Sequence, residues 1–197
     1  MILYGASGHG KVIIEILEAS GVKVDYVVDD NPEINELLGY EVRRNTGTYE
    51  DAIISIGSAQ VRKMLAESLD VKNYPVAIHP SAIVSPRAKL GEGTVVMHGA
   101  IVQTCVEVGK HCIINTGASV DHDCKLGDYV HIAPQATLSG AVEVGEGTWI
   151  GAGAVIKQCI KIGSNCMIGA GAVVVKDVPD GVTVVGVPVG KRFNSMH

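Results

Sequence analysis

From Ile78 to Val174 every sixth residue is Ile, Leu or Val, at seventeen positions without a break. Four places beyond each stands a small or β-branched residue, as at Ala82, Ala100, Cys112, Cys124, Thr148 and Ala172. One place beyond, glycine recurs at Gly91, Gly109, Gly127, Gly145, Gly151, Gly163 and Gly169. Six residues accommodate a strand of two or three residues and a tight corner. Three such units close a triangular coil of about eighteen residues, and equivalent side chains then stack about 4.8 Å apart along the axis. Residues 78–178 therefore read as about five and a half coils of parallel β-helix. The hexapeptide period marks its left-handed form, an exception to the usual right-handed crossover. The aliphatic residue points inward and the small one fits the narrow corner. The recurrent glycine is expected to supply corner dihedrals with positive φ. A filled prism leaves ligands only its outer faces or the spaces between copies.

Before the repeat the pattern is different. Met1–Tyr4 is apolar and runs into Gly5-Ala6-Ser7-Gly8-His9-Gly10. Lys11–Ser20 follows with Val12, Ile13, Ile16 and Leu17 on one helical face, and Gly21 stands where the helix would be capped. Val24–Val28 reads as a second strand ending in Asp29-Asp30-Asn31-Pro32, and Ala52–Ile56 as a buried strand ending at Gly57. Val61–Leu69 is predicted helical through Val61, Leu65 and Leu69. Strand and helix alternate as in a small parallel Rossmann-like sheet. The expected organisation is an α/β domain over residues 1–75 and a left-handed β-helix over 76–197.

Composition narrows the function classes. The formal net charge is −5, a poor balance for binding polyanions, so nucleic acid is not expected as a partner. Aromatics make up only 4%, so aliphatic residues must fill the interior. No apolar run reaches the roughly 18 residues of a membrane span, and no basic segment followed by an apolar one opens the chain. A cytoplasmic protein without membrane insertion is expected. Five cysteines without a C-x-x-C pair argue against a disulfide framework or a zinc ribbon. Cys112, Cys124 and Cys166 fall on the small inward position, whereas Cys105 and Cys159 fall outside it.

Among the seven histidines, His122 stands out in Asp121-His122-Asp123-Cys124. A neighbouring carboxylate fixes an imidazole tautomer and raises its basicity, which suits a general base; the other reading is a plain polar corner. The eighteen-residue coil puts Gly140 over His122 and Thr104 beneath it. A glycine there admits a ligand to the backbone, and its N–H suits an oxyanion. From residue 150 onward five bases (Lys157, Lys161, Lys176, Lys191, Arg192) face two acids, which suits a phosphorylated cofactor or is simply mixed surface charge. The loop Gly5–Gly10 follows a strand and opens a helix, a place that favours phosphate. Its spacing is G-x-x-G-x-G rather than the dinucleotide pattern. With Asp29-Asp30 about twenty residues on, it reads as a nucleotide-sugar site rather than an NAD site.

Several motifs together resemble a known group: Tyr4-Gly5-Ala6-Ser7-Gly8-His9-Gly10, Asp29-Asp30, Ile56-Gly57, Ile78-His79-Pro80-Ser81-Ala82, Asn115-Thr116, Asp121-His122-Asp123-Cys124 and Val185-Gly186-Val187-Pro188. Across almost its whole length the chain resembles the bacterial nucleotide-sugar and sialic-acid acetyltransferases of the left-handed β-helix class, the PglD/NeuD group. The resemblance implies transfer of acetyl from acetyl-CoA to the 4-amino group of a UDP-4-amino-4,6-dideoxy sugar, as in UDP-N-acetylbacillosamine synthesis. O-acetylation of a sialic acid, or N-acetylation of a GDP- or dTDP-linked amino sugar, is the alternative. It implies His122 as the catalytic base tuned by Asp123, where the group often has Glu. It implies His131, Gly140, Ala152 and Ala170 as contacts to acetyl-CoA. Ser7, Gly8, His9, Asp29, Asp30, Gly57 and Asn115 would hold the nucleotide sugar. It implies no metal, and a homotrimer with active sites between subunits. A γ-type carbonic anhydrase shares the prism but needs a histidine pair about five apart, whereas His122 and His131 are nine apart. A nucleotide-binding scaffold without chemistry is the third reading.

Overall fold

The structure, a computed structural model, describes residues 1–193. Residues 194–197, the end of the second expected domain, lie outside the described residues. The first part comprises β1 (Ile2–Tyr4), α1 (Gly8–Ala19), β2 (Tyr26–Val28), β3 (Glu36–Leu37), β4 (Tyr40–Arg43), β5 (Thr48–Ile54), α2 (Ala59–Ser68) and β6 (Asp70–Asn73). Its sheet runs in the order β3-β4-β2-β1-β5-β6. All pairings are parallel except the β3–β4 hairpin. Leu3, Val27 and Ile53 pair across its centre and pack on Ile13, Ile16 and Leu17 of α1. Ile2, Tyr4, Val28 and Ala52 face the other side, against Leu65 and Leu69.

The helices depart from the predicted limits for identifiable reasons. α1 begins at Gly8 rather than Lys11, with Ser7 extended before it. The first turn therefore contains Gly8, His9 and Gly10. Gly10 is needed there, because a Cβ would lie 2.5 Å from the Gly5 carbonyl oxygen. Beyond Ser20, Gly21 takes φ +69° and donates to Glu18 O, while Val22 N–H reaches Leu17 O, a Schellman cap at the expected glycine. α2 turns a different face inward than its aliphatic spacing suggests. Val61 is exposed, Arg62 is buried, and Leu69 lies beyond the helix end. The β3–β4 hairpin turns on Leu38 and Gly39, both at positive φ, and Leu-Gly carries none of the usual Asn-Gly signal.

From Ala77 the chain winds as a three-sided prism. Its first face stacks the strands from Ala77–Ile78 to Met167–Ile168 and is extended by Thr183–Gly186 and Val189–Phe193. The second face runs from Ile83–Val84 to Val173–Val174 and the third from Lys89–Leu90 to Lys161–Ile162. Each strand pairs in parallel with the one eighteen residues on, as Val96 with Ile114 and Ile114 with Ile132. The aliphatic residues from Val96 to Val174 form one buried core with the small residues of the corners. Cys112, Cys124 and Cys166 belong to that core, and Cys105 and Cys159 are exposed.

The expected use of the recurrent glycines needs correction. Positive φ falls three places after the aliphatic residues from Leu90 to Ile168, on Gly93, Gly99, Gly117, Gly147, Gly153 and Gly171, but also on Cys105, Asp123, Gln135 and Asn165. The glycines one place on serve close stacking instead. A Cβ on Gly109 would sit 2.6 Å from the Gly127 carbonyl carbon, and one on Gly145 2.5 Å from Ser164 N.

α1 is wedged between the two parts. Its apolar side shares a core with Ala77, Val95, Met97 and Ile113, the outward residues of the lower first face.

Candidate active site

The expected site residues gather in two groups on different edges of the prism. His122, Asp123 and Gly140 lie on the edge between the second and third faces, after strands Ser119–Val120 and Thr137–Leu138. Asp123 occupies the positive-φ position of its corner, and its Oδ2 lies 2.7 Å from His122 Nδ1. Asp121 Oδ1 accepts the His122 backbone N–H at 2.8 Å. These carboxylates raise the His122 pKa above the ordinary imidazole value, the Asp123 hydrogen bond most and the Asp121 charge next. With Nδ1 engaged, Nε2 is the nitrogen left for a substrate proton.

Gly140, one coil further on, abuts the ring. A Cβ there would stand 2.6 Å from Cε1 and 2.7 Å from Nε2 of His122, so only glycine admits this pose. The Gly140 carbonyl accepts from Cys159 N–H, while its own N–H donates to no group of the described residues. A cleft of about 370 Å³ opens here, lined by Asp121, His122, Ser139, Gly140, Ala141, Gln158 and Cys159. A larger groove of about 750 Å³ lies along the third face and contains none of the expected residues.

The second group lies where the α/β part meets the prism. Ser7, Gly8, His9, Asp29, Asp30 and Gly57 collect beyond the carboxyl ends of β1, β2 and β5, where open parallel sheets bind ligands. Asp29 is largely occupied: Oδ2 accepts Ala6 N–H at 2.7 Å and Oδ1 accepts Asn31 N–H at 2.9 Å. Asp30 accepts from the Tyr4 hydroxyl at 2.8 Å and from Asn45 N–H at 3.2 Å. His9 reaches the prism, its ring centroid 6.5 Å from that of His131. His131 lies on the first face between Asn115 and Trp149, whose ring centroid is 4.2 Å away. Asn115 Oδ1 accepts Thr116 N–H, so its Nδ2 donates to His131 Nε2 at 3.0 Å. The His131 proton then sits on Nδ1, a buried nitrogen with no partner among the described residues. Burial above all, then the Arg62 charge, pushes His131 down to about 3 and His9 down to about 4, so both rings are neutral. Ala152 and Ala170 follow on the edge into which this face turns, exposed and stacked, with Gly171 N–H on Ala152 O.

Lys161 pairs with Glu143 at 3.1 Å on the third face, and the side chains of Lys191 and Arg192 lie outside the described residues. Sequence reading missed Trp149 and Arg62. Trp149 stands eighteen after His131, so the coil period carries the signal. Arg62 sits at an ordinary helical position with no local signal. Among the described residues no group of three or more His, Cys, Asp or Glu is placed to hold a metal ion, and no helix is long and apolar enough to cross a membrane.

Comparison with known proteins agrees with this architecture. Residues 1–69 match the PglD N-terminal domain, and residues 106–140 and 141–176 match the bacterial transferase hexapeptide family. The UDP-N-acetylbacillosamine N-acetyltransferase of Bacillus subtilis (strain 168) is 44% identical over 110 residues, which are 48% of this chain and 50% of that enzyme. The chain thus matches about half the length of that curated relative. The acetyltransferase domain of PglB from Neisseria gonorrhoeae FA1090 superimposes with a TM-score of 0.91 at 39% identity, over 96% of this chain and 97% of that one. PerB from Caulobacter crescentus, solved with CoA and GDP-perosamine, gives 0.90 at 38% identity, over 96% and 95%.

Proposed function

The chain belongs to the PglD/NeuD-type acetyltransferases, acetyl-CoA-dependent enzymes that N-acetylate sugars, and from that premise we propose that it acetylates the 4-amino group of a UDP-4-amino-4,6-dideoxy sugar. The observation that carries the chemistry is the His122 imidazole, held at Nδ1 by Asp123 and set against Gly140, with Nε2 left to the cleft. The substrate class is supported by the Bacillus subtilis relative and by the nucleotide sugar bound in PerB.

Acetyl-CoA and the nucleotide sugar bind together, and no acyl-enzyme forms. The sugar nitrogen attacks the thioester carbonyl while His122 Nε2 takes its proton. The imidazolium so formed is stabilised by Asp123 and Asp121. The free Gly140 N–H donates to the tetrahedral oxyanion. Collapse breaks the C–S bond, and the proton on His122 passes to the departing thiolate. Ser7, Gly8, His9, Asp29, Asp30 and Gly57, with Asn115, hold the nucleotide sugar. Asp29 and Asp30 act mainly by shaping the loop, since backbone N–H groups and the Tyr4 hydroxyl already occupy them. His131 and the backbone at Ala152 and Ala170 serve acetyl-CoA.

One chain sets these groups on two edges, so the site is completed between copies, and a homotrimer about an axis parallel to the prism is the arrangement proposed. The reaction is placed in the cytoplasm, where acetyl-CoA is formed. The decisive assay incubates the protein with acetyl-CoA and UDP-, GDP- and dTDP-linked 4-amino sugars and follows thiol release. Turnover with the UDP sugar is expected. Preference for the GDP or dTDP sugar would reassign the acceptor, and release with none of them would reject the reading. His122→Ala is expected to lower kcat by about 10²–10⁴.

A further inference from the structure

Arg62 is 1% exposed, yet its guanidinium meets no carboxylate of the described residues. It donates to four backbone carbonyls: from Nε to His111 at 2.8 Å, from Nη1 to Ile56 at 2.9 Å and Gly57 at 2.8 Å, and from Nη2 to Tyr129 at 2.7 Å. Two of those carbonyls belong to the loop after β5 and two to the coils of the first face. Burying a cation without a counter-charge is costly, and the cost is offset here by hydrogen bonds from four of its five N–H donors. An apolar side chain would join two domains more cheaply, so the position of the charge calls for a reason. Tyr129 stands two residues before His131, and Gly57 stands on the nucleotide-sugar side.

We propose that Arg62 is a positioning residue for acetyl transfer: by clamping the Ile56–Gly57 loop to the coil that carries His131, it fixes where the sugar nitrogen meets the thioester. This rests on the assignment of Gly57 to the nucleotide sugar and of His131 to acetyl-CoA. The charge has a second consequence. Burial does most to keep the His131 and His9 rings unprotonated, and Arg62 is the next cause for both. Burial also lowers Arg62 itself, but only to about 10, so it remains a cation at neutral pH. A neutral His131 that accepts from Asn115 at Nε2 has its proton on Nδ1, buried toward the Gly57 carbonyl that Arg62 also holds. Arg62 thus holds the coil that carries the ring and adds to burial in keeping the ring neutral. A mere rivet between domains would affect stability and leave the turnover of the folded protein alone.

The test compares Arg62→Met and Arg62→Lys for thermal melting, acetyl transfer and the ring-nitrogen NMR signals of His131. Arg62→Met, assayed well below its melting temperature, is expected to lose about 10²-fold in kcat, the effect of a misplacement of about 1 Å. Arg62→Lys keeps the charge but not the planar fork, and is expected to recover about tenfold of that loss. His131→Gln should cost less on the Arg62→Lys background than on the wild type, because coupled residues are not additive. A folded Arg62→Met within about threefold of wild-type kcat overturns the proposal, and so do additive losses in the cycle. Should Arg62→Met fail to fold, the Arg62→Lys and His131→Gln cycle decides alone. Should the wild type acetylate no nucleotide amino sugar, the substrate assignment falls, and the NMR signals of the unliganded protein decide the Arg62 question. A His131 Nδ1 resonance moved by Arg62→Lys supports positioning, and an unmoved one overturns it.

Discussion

The pose of the His122 ring depends on what lies on each side of it. Asp123 holds Nδ1, the Asp121 carboxylate accepts the backbone N–H, and Gly140 abuts the ring without a Cβ. Gly140→Ala places a methyl group 2.7 Å from Nε2, so the imidazole must swing away. Such a displacement is expected to cost about 10²-fold in kcat, with the melting temperature little changed because the ring is exposed. Turnover equal to wild type would show that Nε2 is not the nitrogen used. The carboxylates also set the pH dependence. They raise the His122 pKa, and a base works only when deprotonated, so activity falls as pH drops through that raised value. Asp123→Asn removes the largest cause, so the acid limb of kcat/KM should move to lower pH while kcat falls. The acceptor ammonium titrates in the same limb, and for that reason the shift between wild type and variant is the quantity to measure. A limb that stays in place would remove Asp123 from the tuning of His122.

At the scale of elements, one corner is repeated with two different demands on its residues. The place after the inward aliphatic residue lies against the backbone of the next coil at Gly91, Gly109 and Gly145, and the place two further on lies at positive φ, in open space at Gly99, Gly153 and Gly171. Gly109→Ala should therefore be destabilising by about 1–3 kcal/mol through overpacking, its φ being ordinary. Gly99 stands at φ +63° with nothing within 4 Å of a Cβ. Gly99→Asn should cost under about 1 kcal/mol, because Asn tolerates the left-handed region and Asn165 already occupies an equivalent corner. Thermal melts compare the two, and the reverse order would refute this division. The period of six was legible in the sequence because the same spacing selects the same residue class in every coil. It placed Gly140 against His122 and Cys112, Cys124 and Cys166 in the core. The reason for the glycines was not legible, since clash and positive φ favour the same residue and only the neighbouring coil separates them. The face that α2 turns inward was hidden for another reason. Arg62 is buried by carbonyls 49 and 67 residues away in sequence, and no local pattern records them.

For the molecule as a whole, the three faces of the prism have three different exteriors. The first is covered along its lower coils by α1, and the Lys63–Glu146 pair at 2.6 Å adds a polar tie between α2 and the prism. The third carries a ladder of alternating charge, Lys89, Glu107, Lys125, Glu143 and Lys161, with Lys89–Glu107 at 2.9 Å and Lys161–Glu143 at 3.1 Å. Charges matched in this way are satisfied without a partner. The second presents Ile83 at 66% and Val155 at 41% exposure, with Ile101, Ser119, Thr137 and Val173 in the same outward column. It also lies between the edge of His122 and the edge of Ala152 and Ala170. In the proposed trimer, copies joined through this face would bring one chain's His122 edge toward its neighbour's Ala152 and Ala170 edge. Val155→Lys puts an unpaired charge into that contact, whose burial is costly, while in an isolated chain the side chain stays in water and the fold persists. Sedimentation should show the wild type as a trimer and Val155→Lys as a smaller species with an unchanged far-ultraviolet spectrum. Acetyl transfer should fall in proportion to the trimer lost, and recover as the variant is concentrated. A variant that sediments as a monomer and retains full turnover would place the whole site within one chain, and the split of its residues between two edges would then need another explanation.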